Sequence, residues 1–134
     1  MKRIIILSAI ILISFVSCKK TEKTPEGPTD IRVTNLSDVV MTDLTVNTSG
    51  GEFNYGTLNP GSTSEYHRFD KAYPKANISA TINGQKFKTD SVKASDYLYY
   101  QYLGPMQATY KIYIKNAAQK QLEISDVVPE APLK

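Results

Sequence analysis

The sequence holds few of the side chains that build metal centres and nucleophilic sites. Its 134 residues include one cysteine, Cys18, one histidine, His67, and no tryptophan. One cysteine cannot form a disulfide within the chain, and one histidine cannot supply a zinc site that needs several. Glycine-rich phosphate loops of the GxGxxG or GxxxxGKS type are also absent. These gaps argue against catalysis, and we predict a protein that is not an enzyme and uses no metal or cofactor.

Long basic runs and helical periodicity are missing as well. No run of Lys and Arg exceeds two residues, and the net charge of +3 falls to +1 when Lys2 and Arg3 leave with the amino-terminal segment. Nucleic-acid binding depends on many basic side chains that neutralise phosphates, so no nucleic-acid partner is expected. From Asp30 onward no window of eleven residues repeats apolar positions at helical spacing, so helix should be nearly absent.

The amino-terminal segment has the three-part layout of a secretory signal. Lys2 and Arg3 give it a positive start, and the thirteen residues of Ile4 to Val16 are almost wholly apolar. A helix that crosses a membrane needs about 20 apolar residues, so this run is too short to span. A small residue, Ser17, follows it. We therefore predict that residues 1–17 are a signal peptide that is removed.

The four residues Phe15-Val16-Ser17-Cys18 resemble the lipobox of bacterial lipoprotein signals, and we identify the chain with the Gram-negative type. In such signals the cysteine becomes the first residue after cleavage. The resemblance implies that Cys18 carries fatty chains such as palmitate on its thiol and on its new amine. Two or three chains hold a protein at a membrane effectively permanently, because each buried CH₂ contributes about 0.8 kcal/mol. The alternative is an ordinary signal peptide in which Cys18 is incidental.

The residues that follow bear on location and on domain limits. Lys19 stands where some bacteria place the Asp that retains lipoproteins at the inner membrane, so the resemblance implies the outer membrane of the cell envelope. Residues 18–29 contain two prolines, a glycine and no large apolar side chain, which predicts a flexible tether. We expect one domain over residues 30–128. Pro129 should end its last strand and leave a frayed tail over residues 129–134.

The body of the chain shows short runs rich in Val, Ile, Thr and Tyr between turn residues. The clearest prediction is a hairpin at Asn83-Gly84, because this dipeptide favours the type I′ turn of a two-residue loop. With that loop Ile82 faces Gln85, and Ala80 faces Phe87. This register gathers the apolar side chains of both strands on one face, and a slip by one residue would mix the two faces.

Further runs predict a second hairpin around Gly104-Pro105, between strands over residues 97–103 and 108–115, and a last strand over residues 121–128. The total is seven to nine short strands. It predicts an all-β fold, a single antiparallel β-sandwich of the immunoglobulin-like or transthyretin-like kind, with a small barrel as the alternative. Ile31–Asn35 and Leu58–Ser62 resemble segments of β-sandwich modules in Gram-negative lipoproteins, and such modules carry no catalytic residues.

Tyrosine is abundant, with nine residues that all lie between Tyr55 and Tyr113. Strand alternation places Tyr97 and Tyr99 on one face, and Tyr113 would lie beside them if that face points outward. Exposed tyrosines grip sugars or proteins well, so we predict a binding face formed by these three residues. The alternative is aromatic packing that simply covers a sheet. The expected function is a binding or structural module for a protein or glycan partner.

Two more positions deserve a functional hypothesis. Asp90-Ser91-Val92 resembles the three-residue acceptor motif for O-linked glycans on exported proteins of some Gram-negative bacteria, which implies a glycan on Ser91. His67 lies near Glu65 and Asp70 in sequence. A cleft that gathered these three side chains would favour the alternative function, a small envelope hydrolase or a metal-dependent enzyme.

Overall fold

The computed structural model describes residues 27–93, 95–96 and 102–133, and within these ranges the fold is all-β. The eight strands are β1 (Thr29–Asn35), β2 (Thr42–Asn47), β3 (Glu52–Asn54), β4 (His67–Phe69), β5 (Asn77–Ile82), β6 (Gln85–Lys88), β7 (Met106–Asn116) and β8 (Gln121–Pro132). The predicted all-β class is thereby confirmed, and the eight strands of the described residues fall within the predicted seven to nine. A helix of the length and apolarity that a bilayer span requires does not occur in the described ranges.

All eight strands belong to one mixed sheet in the order β3-β2-β5-β6-β8-β7-β1-β4. Five of the pairings are antiparallel, whereas β1 with β7 and β6 with β8 are parallel. The prediction of a purely antiparallel arrangement is therefore wrong, and a two-sheet sandwich of either predicted kind is not confirmed. Apolar and polar side chains alternate in the same way in parallel and antiparallel strands, so the sequence pattern does not reveal strand direction.

The sheet curls until its two edge strands, β3 and β4, come into contact, which makes it a nearly closed barrel. The Phe53 ring of β3 stacks on the His67 ring of β4, with centroids 3.6 Å apart and planes 9° from parallel. The Asp70 amide donates a hydrogen bond to the Gly50 carbonyl across the same line at 3.1 Å. We call this line the seam. Closure in this way covers sheet edges that would otherwise pair with other chains.

The inner face of the curled sheet holds the core. Along β1 buried and half-buried residues alternate strictly, as period-two side-chain geometry requires. Large core side chains with about 2% of their surface exposed or less are Ile31, Leu44, Phe69, Ile78, Tyr110, Ile112 and Leu122. Burial of each large apolar side chain contributes about 1.5–3 kcal/mol. The core thus supplies the stability that the single cysteine cannot.

The hairpin predicted at Asn83-Gly84 is confirmed in position and register. Ile82 pairs with Gln85, and Ala80 pairs with Phe87. Asn83 and Gly84 have φ values of 49° and 73°, and positive φ at both positions is what a type I′ turn needs. The side chains of Ala80 and Phe87 are both buried, and this burial fixes the register of the two strands.

The prediction of a second hairpin at Gly104-Pro105 is wrong, because its return strand has other partners. β7 pairs with β8 and β1, and its register with β1 sets Ile31 beside Ala108. Residues 97–101 of the predicted partner strand lie outside the described residues, and residues 102–103 are not in a strand. The Leu103 amide donates a hydrogen bond to the Ala72 carbonyl at 2.9 Å rather than to β7.

The last strand also differs from the prediction, because β8 runs to Pro132 rather than ending at Val128. Residues 129–132, predicted to be frayed, pair with β7, with Ala108 opposite Pro129 and Met106 opposite Pro132. Proline is tolerated in a strand where its missing amide would have faced away from the ladder. In this stretch β8 pairs only with β7 among the described residues. The missing amides of its prolines therefore interrupt no hydrogen bonds to a second strand.

Candidate functional site

The described part of the chain contains some of the sequence-predicted site residues and not others. Those outside the described residues are Cys18, Tyr97 and Tyr99. Their assignments stay predictions. Those inside it are His67, Ser91 and Tyr113. The structure places these three in different surroundings, which we take in turn.

His67 is packed between aromatic rings at the seam. Its ring stacks on Phe53, and Phe69 meets it edge to face with centroids 5.0 Å apart and planes at 78°. Within the described chain neither Glu65 nor Asp70 hydrogen-bonds to its imidazole. Nor do the described residues contain any group of three or more His, Cys, Asp or Glu side chains close enough to hold a metal ion. The three residues that the hydrolase hypothesis needs are not brought together.

Tyr113 lies on the outer face of β7, opposite Glu123 on β8. Its hydroxyl donates to Glu123 Oε2 at 2.5 Å, and Lys115 Nζ lies 2.9 Å from Glu123 Oε1. The hydrogen bond from Tyr113, followed by that from Lys115, lowers the pKa of Glu123, and the same bond raises the pKa of Tyr113. The tyrosine tip is therefore held in a fixed direction on an exposed surface.

Ser91 lies at a groove between β6 and β8. The two parallel strands pair only at Lys88 and Gln121, after which the chain leaves β6 and the strands diverge. The groove encloses about 180 Å³, and its lining includes Pro74, Ala76, Ser91, Asp96, Glu123 and Ile124. We call it the β6–β8 groove. Glu123 both lines this groove and accepts the hydrogen bond from Tyr113. The structure therefore brings two separately predicted residues, Ser91 and Tyr113, to one region of the surface.

The loop that carries Ser91 is held by side chains on both sides of the groove. The Val92 amide donates to Asn77 Oδ1 at 2.8 Å, and Gln121 Nε2 donates to Asp90 Oδ1 at 2.6 Å. Ser91 itself is exposed. A hydroxyl in such a position can be reached by a modifying enzyme, and the chain on either side of it is fixed.

A larger cleft of about 470 Å³ lies along the seam, and the sequence analysis missed it. Its walls are residues 53–59, which continue the line of β3 beside β2, and residues 62–66, which lead into β4 beside β1. The lining includes Asn59 of the Asn59-Pro60-Gly61 turn and Phe53, whose ring stacks on His67. We call this the seam cleft.

Tyr55 reaches across the seam beneath the cleft. Its hydroxyl donates to the Ile31 carbonyl of β1 at 2.6 Å, and its ring meets Phe53 edge to face at 4.9 Å. Burial, aided by the charge of Asp30, raises the pKa of Tyr55, so this phenol stays neutral and keeps its proton for the hydrogen bond. The cleft consequently has a rigid floor.

A charged network lies beside one wall of the cleft. Glu130 of β8 accepts hydrogen bonds from Thr109, from Arg32 at 2.7 Å and from the Tyr66 hydroxyl. These bonds, led by those from Thr109 and Tyr66, lower the pKa of Glu130 to about 2. The Arg32 guanidinium also lies 4.8 Å from the centre of the Tyr66 ring. Tyr66, which lines the cleft, is thereby fixed from outside.

The sequence offered unequal signals for these features. The Asn59-Pro60-Gly61 turn was recognisable, and its Asn59 lines the cleft. The contact between β3 and β4 was not, because it joins two short edge strands through side chains rather than through a ladder. Glu130 could not be identified either, since its strand was expected to end before it.

Comparisons with known proteins give one structural likeness. No protein-family model matches the chain, and no curated protein matches it. The fold is similar to an NMR structure of a protein from Eubacterium rectale, with a TM-score of 0.52 and 18% sequence identity over 75% of this chain and 91% of that one. At this identity the likeness concerns the fold alone.

Proposed function

We propose that this chain is a lipid-anchored lipoprotein of the bacterial cell envelope whose β-body serves as a binding or structural module for a protein or glycan. In this proposal the protein is anchored in the outer membrane, on the periplasmic or the surface side. The protein acts by holding a partner near the lipid rather than by catalysis. The carrying observation is Cys18, the only cysteine, placed directly after the apolar run and small residue of a lipobox-like sequence.

The start of the folded body supports this organisation. β1 begins at Thr29, eleven residues after Cys18 in the sequence. The Thr29 side chain is buried, and its hydroxyl donates to the Gly104 carbonyl at 2.7 Å. A force transmitted through the tether would therefore act on a strand that is hydrogen-bonded on both sides, to β4 and to β7. The remaining chain between lipid and strand is long enough to let the body stand off the membrane surface.

The binding role draws on the surface around the β6–β8 groove. Tyr113 presents an aromatic ring there whose hydroxyl is already oriented by Glu123. Pre-organised side chains bind with less loss of entropy than mobile ones. The predicted companions Tyr97 and Tyr99 and the predicted glycan on Ser91 are part of the same proposal. Packing of His67 between two aromatic rings gives the hydrolase alternative no particular support.

Replacement of the sulfur tests the anchor. Cys18→Ser should move the protein from the membrane fraction of the producing bacterium to the soluble fraction, because serine cannot accept the thioether-linked lipid. Lys19→Ser, a change at the next position, is the matched control and should leave the protein in the membrane fraction. Retention of the Cys18→Ser protein on membranes to the same extent as the control would refute the proposal.

A further inference from the structure

Four polar side chains of the seam cleft make no hydrogen bond within the described part of the chain. They are Thr57, Asn59, Ser62 and Glu65. Hydroxyl and amide groups both donate and accept hydrogen bonds, whereas a carboxylate only accepts. A ligand that satisfies all four must offer donors and acceptors at short intervals. Polyhydroxylated molecules have this property.

The charge of the cleft narrows the choice further. Glu65 is the single charged residue among those that line it in the described chain. The nearest cation of the network, Arg32, is already bound to Glu130 at 2.7 Å. Phosphates, nucleic acids and acidic polymers would meet a negative site with no free cation to receive them. This charge disfavours anions. A cationic amine, which offers only donors, would leave the amide donors of Asn59 unsatisfied, so an uncharged polyhydroxylated ligand fits best.

Three aromatic rings, those of Phe53, Tyr55 and Tyr66, line the cleft in fixed orientations. Phe53 is held by the stacked His67 ring, and Tyr66 is held by Arg32 on its ring and by Glu130 at its hydroxyl. Rings that are already oriented lose little entropy when a ligand packs against them. They provide flat apolar surfaces that suit the C–H faces of sugar rings, while the free polar groups suit sugar hydroxyls.

From this combination we propose that the seam cleft binds a neutral oligosaccharide. Its volume of about 470 Å³ lies in the range of small-molecule sites, roughly 300–1,000 Å³. Glu65 accepts hydrogen bonds from two sugar hydroxyls, Thr57 and Asn59 bind others, and Phe53 packs on a ring. The inference deepens the proposed function, on which it rests, because it names a ligand class and a site separate from the Tyr113 surface.

The test is a calorimetric titration of the full chain in detergent micelles. The probes are oligosaccharides of glucose, mannose, xylose and N-acetylglucosamine, with a short lysine-containing peptide as the competing class. At least one neutral oligosaccharide should bind. Glu65→Gln should weaken its binding about tenfold or more, as expected for a hydrogen bond to a charged group. Glu52→Gln makes the same chemical change outside the cleft and should leave binding unchanged.

Further variants separate this site from the Tyr113 surface. Phe53→Ala should also weaken binding, and Tyr113→Ala should not. Thermal melting of each variant establishes that it is folded. Absence of binding by every oligosaccharide, binding of the peptide alone, or equal binding by wild type and the folded Glu65→Gln protein would overturn the inference. Loss of binding in Tyr113→Ala alone would overturn it too, and would leave the proposed function standing.

Discussion

Glu130 joins three other parts of the sheet through one carboxylate. It binds Arg32 of β1, Thr109 of β7 and Tyr66 just before β4. An exposed ion pair alone contributes little to stability, about 0–1 kcal/mol. Several charge-assisted hydrogen bonds on one group contribute more. The tail of the chain is thereby fastened to the first strand of the body.

Removal of this charge should lower stability in a pH-dependent way. Glu130→Gln should reduce the free energy of unfolding by about 1 kcal/mol at neutral pH, because its amide accepts fewer and weaker hydrogen bonds. The pKa of Glu130 is about 2 in the folded chain and ordinarily 4.5, so the contribution is complete above pH 4.5 and disappears as pH falls towards 2.

Chemical denaturation at several pH values measures this effect. The stability gap between wild type and Glu130→Gln should close as the pH is lowered through that window. Glu65→Gln is the matched control, since the Glu65 carboxylate makes no hydrogen bond with the described residues. A gap that stayed constant down to pH 2 would contradict the role given to the carboxylate.

At the scale of elements, local and distant pairings were not equally predictable. The β5–β6 hairpin could be derived because two adjacent residues, Asn83 and Gly84, determine both its turn and its register. The parallel pair of β1 and β7 could not, because it joins distant segments and depends on how the whole sheet curls. The predicted hairpin at Gly104-Pro105 is wrong because β7 has β1 and β8 as its partners instead.

Two glycines allow the local constraint of the β5–β6 turn to be compared with the long-range constraint of the seam. An alanine at Gly84 would meet no atom within 4 Å but would need a φ of 73°, which costs about 1 kcal/mol. An alanine at Gly50 would place Cβ 2.3 Å from the Lys71 carbonyl oxygen, so the seam backbone would have to shift. We expect the Gly50→Ala protein to lose about 2–3 kcal/mol of unfolding free energy, and clearly more than the Gly84→Ala protein.

Urea unfolding of both variants beside wild type provides the comparison. The larger loss in Gly50→Ala would show that the two edge strands depend on close backbone contact. Equal losses, or a larger loss in Gly84→Ala, would mean that the seam tolerates separation and is not a fixed closure.

At the scale of the whole molecule, fold class could be read from the sequence and the candidate sites only in part. Alternating side chains and turn residues were enough for an all-β body with seven to nine strands, and the described residues form eight. The seam cleft depends on the approach of β3 and β4, which no local pattern encodes. Ser91 and Tyr113 were selected separately, and only the structure shows that Glu123, which accepts the Tyr113 hydrogen bond, lines the same groove as Ser91. The anchor, by contrast, is entirely a sequence hypothesis.

The most direct test of that anchor is mass spectrometry of the amino-terminal peptide of protein purified from its native membranes. The account predicts a peptide that begins at Cys18 and carries the added mass of fatty chains on both its thiol and its amine. A peptide that begins elsewhere, or an unmodified Cys18, would contradict it.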